Sequence, residues 1–137
     1  MAETWVLDSF AVLALLNKEP GGDQVAGLLR QAKSGDVHML MTWVNAGEVA
    51  YIVERRWGRA RVYEALAMLE ATKLQMVPAE RNLTLLAAHI KARHPLAYAD
   101  AFAAALTQQA GATLVTGDPE FELLKDELAI HWLPRRS

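Results

Sequence analysis

The chain has 137 residues, 53% of them apolar, no cysteine and a formal net charge of −2. That is the size of a single domain, expected here over residues 1–137, with enough apolar chain to bury a core and too much for intrinsic disorder. Disulfides, thiolate metal sites and a cysteine nucleophile are excluded, and so is a basic scaffold that coats nucleic acid, though not an enzyme that visits one.

No apolar run approaches the roughly 20 residues of a membrane span. Met1-Ala2-Glu3-Thr4-Trp5 lacks the basic n-region of a signal peptide, so the expected location is the cytoplasm. Five short apolar runs bounded by polar or turn residues read as buried parallel strands: Thr4–Asp8, Val37–Thr42, Leu74–Pro78, Ala112–Thr116 and Ala129–Leu133. Between them lie stretches with helical spacing. Ser9–Lys18 and Gly22–Lys33 flank the Gly21-Gly22 turn, and Trp43–Trp57 and Arg59–Thr72 are separated by Gly58. Arg81–Arg93 and Tyr98–Ala110 are separated by His94-Pro95, where proline disfavours helix in the residue before it. Glu120–Leu128 is the last expected helix, and Arg135-Arg136-Ser137 forms a polar tail. This alternation predicts an α/β fold: a mostly parallel sheet covered by helices on both faces, with ligands beyond the carboxyl ends of the strands.

Four carboxylates occupy that region. Asp8 ends the first strand and precedes Ser9-Phe10-Ala11, where it suits a helix N-cap as well as a catalytic role. Asp118, in Thr116-Gly117-Asp118-Pro119-Glu120, also reads as a cap, with proline at the first helical position. Glu48 has Val44, Tyr51 and Ile52 as helical neighbours, an apolar stripe where amphipathic packing would not place an acid. Asp100 shares a face with Leu96, Ala97, Ala103 and Ala104. An ionised carboxylate there is unfavourable unless it is paired with an arginine, caps the helix a turn late, or serves a site. Brought together, the four would repel and take up protons. A hard divalent cation such as Mg²⁺ or Mn²⁺ would relieve this and would suit phosphodiester hydrolysis.

The segments Val6–Leu16 (VLDSFAVLALL), Asn45–Arg55 (NAGEVAYIVER), His94–Thr107 (HPLAYADAFAAALT) and Ala112–Phe121 (ATLVTGDPEF) resemble those of PIN-domain ribonucleases, and more narrowly the VapC toxins of toxin–antitoxin systems. The resemblance implies a three-layer α/β/α sandwich with strand order 3-2-1-4-5. It also implies Mg²⁺ or Mn²⁺ bound by Asp8, Glu48, Asp100 and Asp118, with Thr116 supporting the site through its hydroxyl. The activity implied is cleavage of structured RNA such as tRNA or ribosomal RNA, by a homodimer inhibited by a small antitoxin whose C-terminal segment occupies the active-site groove. Ala97 departs from the serine that many relatives carry, and alanine cannot cap a helix.

Other residues carry two readings. Ser9 is a ligand to a metal-bound water or a helix cap, and Asn45 is a groove residue or a structural one. Arg55, Arg56, Arg59 and Arg61 form the one dense basic run; they contact RNA phosphates, or they are a solvated helix end with Glu54 and Glu64 as partners. Trp43, Tyr51, Trp57 and Tyr63 read as core or dimer contacts rather than base-stacking platforms. The four histidines lack ligand spacing, and no phosphate-binding glycine loop is present. The alternative to an enzyme is a PIN-like regulatory module that binds without cutting. A receiver domain or haloacid-dehalogenase-like phosphatase is disfavoured: the former's adjacent acidic pair is missing, and Phe10 stands where the latter needs a second aspartate.

Overall fold

The computed structural model describes residues 3–134, so Met1-Ala2 and the expected tail Arg135-Arg136-Ser137 lie outside the described residues. The elements run β1 (Glu3–Leu7), α1 (Ser9–Leu16), α2 (Gly22–Lys33), β2 (Val37–Thr42), α3 (Trp43–Trp57), α4 (Arg59–Glu70), β3 (Gln75–Val77), α5 (Arg81–Arg93), α6 (Tyr98–Ala110), β4 (Thr113–Thr116), a 3₁₀ turn (Pro119–Leu124) and β5 (Ala129–Trp132). The five strands form one sheet in the order β3-β2-β1-β4-β5, and every neighbouring pair is parallel.

Side chains alternate across the sheet, as the two-residue period of a strand requires. Leu7, Met39, Met41 and Val115 face a core closed by α1, α2, α3 and α4. Val6 and Leu114 face a second core closed by α5, α6 and the 3₁₀ turn. The result is the three-layer sandwich. Because β1 is central and pairs with both β2 and β4, the chain ends of these strands lie side by side at one edge (Val6 is in register with Leu40 and with Leu114).

Two expectations change in the structure. The segment after β4 is not the α-helix expected over Glu120–Leu128 but a 3₁₀ turn ending at Leu124. Its buried residues Phe121 and Leu124 are three apart, and a 3₁₀ helix superposes positions i and i+3 on one side. The aromatics of α3 and α4 are not core: Trp43, Tyr51, Trp57 and Tyr63 are all exposed, because α3 buries the opposite face through Asn45, Ala46, Val49 and Val53. The stripe around Glu48 is packed only at its start, where Val44 meets the second core. Val44 and Ile52 are half-buried and Tyr51 is open.

Gly58 ends α3 and starts α4 with φ +90°, a backbone conformation that side chains with a Cβ rarely adopt. Gly22 serves close packing instead: a Cβ there would meet the backbone oxygen of Ala14 at 2.6 Å. That oxygen belongs to α1 and cannot rotate away. Gly22→Ala is therefore expected to destabilise the fold by about 1–3 kcal/mol, measured as a lower midpoint in urea unfolding at unchanged slope.

Candidate active site

The site begins with the strand ends. Asp8 follows β1 and caps α1, its Oδ1 accepting from the Ala11 N–H at 2.9 Å. Its Oδ2 accepts from the Thr116 hydroxyl at the end of β4, and the same Thr116 oxygen accepts from the Asp118 N–H at 3.0 Å. Asp118 in turn caps the 3₁₀ turn, accepting from the Glu120 N–H at 2.9 Å. Capping and site-building are thus not alternatives for Asp8 and Asp118. One oxygen of each satisfies a helix start, and the cap holds the carboxylate in place.

The helices bring the other acids. Asp100 lies in the first turn of α6 and is only 6% exposed. Glu48 lies half-buried on α3. Neither alternative for Asp100 holds among the described residues: its side chain caps no backbone N–H, and the ion pairs present involve none of the four acids. Ala97 caps nothing, yet α6 starts at Tyr98 as expected.

Behind the acids sits a buried polar knot centred on Asn45, which has no exposed surface. Thr42 caps α3, its hydroxyl oxygen accepting from the Asn45 N–H at 2.9 Å while the hydroxyl donates to Asn45 Oδ1 at 2.5 Å. Asn45 Nδ2 donates to the Ser9 hydroxyl at 3.3 Å and to the Ala99 carbonyl at 3.1 Å, and the Ser9 hydroxyl donates to the Asn45 carbonyl at 3.2 Å. One side chain thereby joins the N-terminal turns of α1, α3 and α6. Each joined residue is next to an acid or one turn from it: Ser9 beside Asp8, Ala99 beside Asp100, and Asn45 before Glu48. Ser9 is neither the cap nor an open ligand position, since Asp8 caps α1 and Ser9 is held in the knot.

Electrostatics reports how close the acids are. Burial pushes Asp8 up from its ordinary 3.8 to about 7 against the opposing bonds from Thr116 and Ala11, and the charges of Asp118 and Glu48 add to the rise. Burial likewise pushes Asp100 up to about 8, followed by the charge of Asp118, a carboxyl contact with Glu120, and the charges of Asp8 and Glu48. The tightest group is Asp100, Asp118 and Glu120, whose carboxylate oxygens can lie within 4.8 Å of one another. Asp8 and Glu48 stand outside that group but within electrostatic reach. Periodicity reads Glu120 only as a helix start; its position two residues after Asp118, across a proline, places both carboxylates on one tight turn.

This donor set fits a hard divalent cation: the group is all carboxylate oxygen, it converges, and among the described residues no side-chain cation pairs with it. The model of the PIN domain family matches residues 5–127. The chain belongs to the PIN domain family. Proteins of this family are typically nucleases that use a divalent metal. Solved structures share the fold of this PIN domain at low identity. VapBC2 from Rickettsia felis, bound to a DNA fragment from its promoter, matches with TM-score 0.77 and 15% identity over 96% of this chain and 99% of that one. DNA-bound VapBC from Salmonella typhimurium gives 0.74 and 17% over 96% and 98%. VapC20 from Mycobacterium tuberculosis, described as a sarcin–ricin loop cleaving toxin, gives 0.71 and 18% over 96% and 100%. No curated protein matches the chain by sequence.

Two predictions follow from this geometry. Asn45→Ala leaves the Thr42 hydroxyl, Ser9 hydroxyl and Ala99 carbonyl short of a partner in a buried place. It should lower stability by about 1–3 kcal/mol in chemical unfolding. The second concerns pH without metal. Asp8 and Asp100 titrate higher in the folded chain than in the unfolded one, so folding favours their protonated forms. Their contribution is complete below the ordinary value of 3.8 and is lost as pH rises through about 7 and about 8. The melting temperature of the metal-free protein should therefore fall across that window. Mn²⁺ should raise it most at the alkaline end, as read by scanning calorimetry.

Proposed function

We infer that this PIN domain is a Mg²⁺- or Mn²⁺-dependent endoribonuclease acting on structured RNA, tRNA or ribosomal RNA, as the toxin of a toxin–antitoxin pair. The observation that carries this reading is the convergence of Asp8, Glu48, Asp100 and Asp118 from four separate elements, with two of them pushed toward neutrality and no cation among the described side chains to balance them. A fold stabilised by its own contacts alone gains nothing from such a cluster.

Asp100 and Asp118, with Glu120, would hold the ion most directly, and Asp8 and Glu48 would complete its surroundings. Bound there, a divalent ion supplies charge stabilisation at the phosphoryl oxygens and a lowered pKa for a coordinated water. The protein's own contribution is positioning. Thr116 and the Ala11 N–H fix both oxygens of Asp8, so its orientation does not depend on the ion. Glu48, half-buried on α3, is in neither a cap nor the tight Asp100–Asp118–Glu120 group, which leaves its carboxylate available to accept a proton from an attacking water.

The biological role rests on the family and on fold neighbours that are VapBC complexes. It includes a small cognate antitoxin whose C-terminal segment fills the groove over the acids, a homodimeric toxin and a cytoplasmic setting. Among the described residues no helix is long and apolar enough to cross a membrane.

The test is cleavage of total tRNA and ribosomal RNA with Mn²⁺, followed by sequencing of the new 5′ ends. Asp8→Asn and Asp100→Asn should each lower cleavage at least ~100-fold, a loss on the scale of a removed transition-state interaction, and EDTA should stop the wild type. Cleavage that survives both substitutions without metal would sink the reading.

A further inference from the structure

The tip of the α3–α4 hairpin carries side chains that the fold does not explain. Three guanidinium groups there each lie over an aromatic ring: Arg55 is 5.3 Å from the Tyr51 ring centre, Arg56 5.8 Å from Trp57, and Arg59 5.8 Å from Tyr63. Arg59 also donates to the Tyr63 hydroxyl at 3.2 Å. Tyr51, Trp57 and Tyr63 are 50%, 46% and 58% exposed, so neither core supplies a reason for them. Trp57 borders a groove with Leu16, Val53 and Arg61, whereas the open rings of Tyr51 and Tyr63, each under an arginine, mark an interaction surface.

The charge of the tip identifies its partner. From Tyr51 to Tyr63 there are four arginines and one glutamate, Glu54, a formal +3 in a chain whose total is −2. Arg61 is drawn to Glu64 at 3.8 Å and Arg59 feels the charge of Glu54, while Arg55, Arg56 and Arg59 each keep an aromatic ring beneath the guanidinium and form no carboxylate ion pair among the described residues. A cluster of carboxylates repels a polyanion, so a nuclease built on one needs cations beside the site rather than in it. The register of α3 supplies that relation. Glu48, Tyr51 and Arg55 fall on one helical stripe, and Arg55 lies about 10 Å along the axis from Glu48.

We propose that this arginine–aromatic surface binds a single-stranded segment of the RNA substrate adjoining the cleaved bond, with Arg55 and Arg59 on phosphates and the rings of Tyr51 and Tyr63 as stacking platforms for bases. The proposal rests on the ribonuclease reading above and adds to it the form in which substrate is held. Base stacking on an aromatic face tolerates any sequence, and RNA is read largely through unstacked bases in loops. The open rings of Tyr51 and Tyr63 thereby acquire a role that matches their exposure.

The experiment measures binding apart from cutting. A fluorescent RNA hairpin with a single-stranded loop is titrated in Ca²⁺ buffer against the wild type, Arg55→Gln/Arg59→Gln and Tyr51→Leu/Tyr63→Leu, with the RNA checked on a gel for breakage. All substituted surface positions are exposed, and melting curves verify that the variants fold. The arginine variant should bind at least tenfold more weakly and lose about 2 from the salt slope. The tyrosine variant should weaken binding by about tenfold per ring with the slope unchanged.

Unchanged affinity and slope in both surface variants would overturn the proposal. So would a pattern in which the variants bind RNA normally but no longer bind the purified cognate antitoxin, because the surface would then be a protein-docking site. If the wild type binds the hairpin through these residues yet never cuts RNA with Mn²⁺, the ribonuclease reading fails and the RNA surface stands. If it cuts while the variants bind undiminished, the reverse holds.

Discussion

Four like charges held in one place set the terms for this molecule. Burying Asp8 and Asp100 beside Glu48 and Asp118 is unfavourable: burial first, and the charges of the neighbouring acids after it, push Asp8 to about 7 and Asp100 to about 8. Something other than the acids must keep their backbones together. The buried amide of Asn45 does so, with hydrogen bonds to Ser9 and Ala99 and a cap shared with Thr42. These bonds are neutral, lie behind the carboxylates and are shielded from water, so they persist whether or not the acids are ionised.

The same residues that would do chemistry also start helices. Asp8 caps α1 and Asp118 caps the 3₁₀ turn, while Thr116 spans between them. A cap points a carboxylate oxygen at backbone N–H groups, which fixes its rotamer and removes a freedom that a flexible ligand would lose on binding an ion. Parallel β1 and β4 are neighbours, so two such caps sit side by side at the edge where α/β sheets place their ligands. The fold and the site therefore share hydrogen bonds, and the site adds little backbone of its own beyond the first turns of α3 and α6.

The hairpin of α3 and α4 divides the labour differently. Its inner face, through Asn45, Ala46, Val49, Val53 and Val62, is core. Its outer face carries Glu48 near the acids and arginine–aromatic pairs toward the tip. A single helix thus connects an acidic pole to a basic one. A polyanion can be attracted by the second and presented to the first, and the chain's small net charge of −2 conceals this separation.

Much of this was legible in the amino-acid order alone. Short apolar runs alternating with Ala- and Leu-rich helices specify a parallel α/β sheet, since only buried strands and amphipathic helices satisfy that pattern. Val37–Thr42 and α3 fall where local pattern places them. Asp100 among alanines stands out because a buried unpaired charge has no local excuse. Tertiary structure alone decided the rest. Helical periodicity says which residues share a face but not which face meets the core, so Tyr51 and Trp57 could not be told from core aromatics until α3 was docked. Glu120 entered the acidic group only when Pro119 began a 3₁₀ turn rather than an α-helix, a choice made by the burial of Phe121 and Leu124. Asn45 reads as an ordinary polar residue near a helix start. Its role as the tie among three helices depends on Ser9 and Ala99, which are 36 and 54 residues away in the chain, and contacts at that separation exist only once the sheet has assembled.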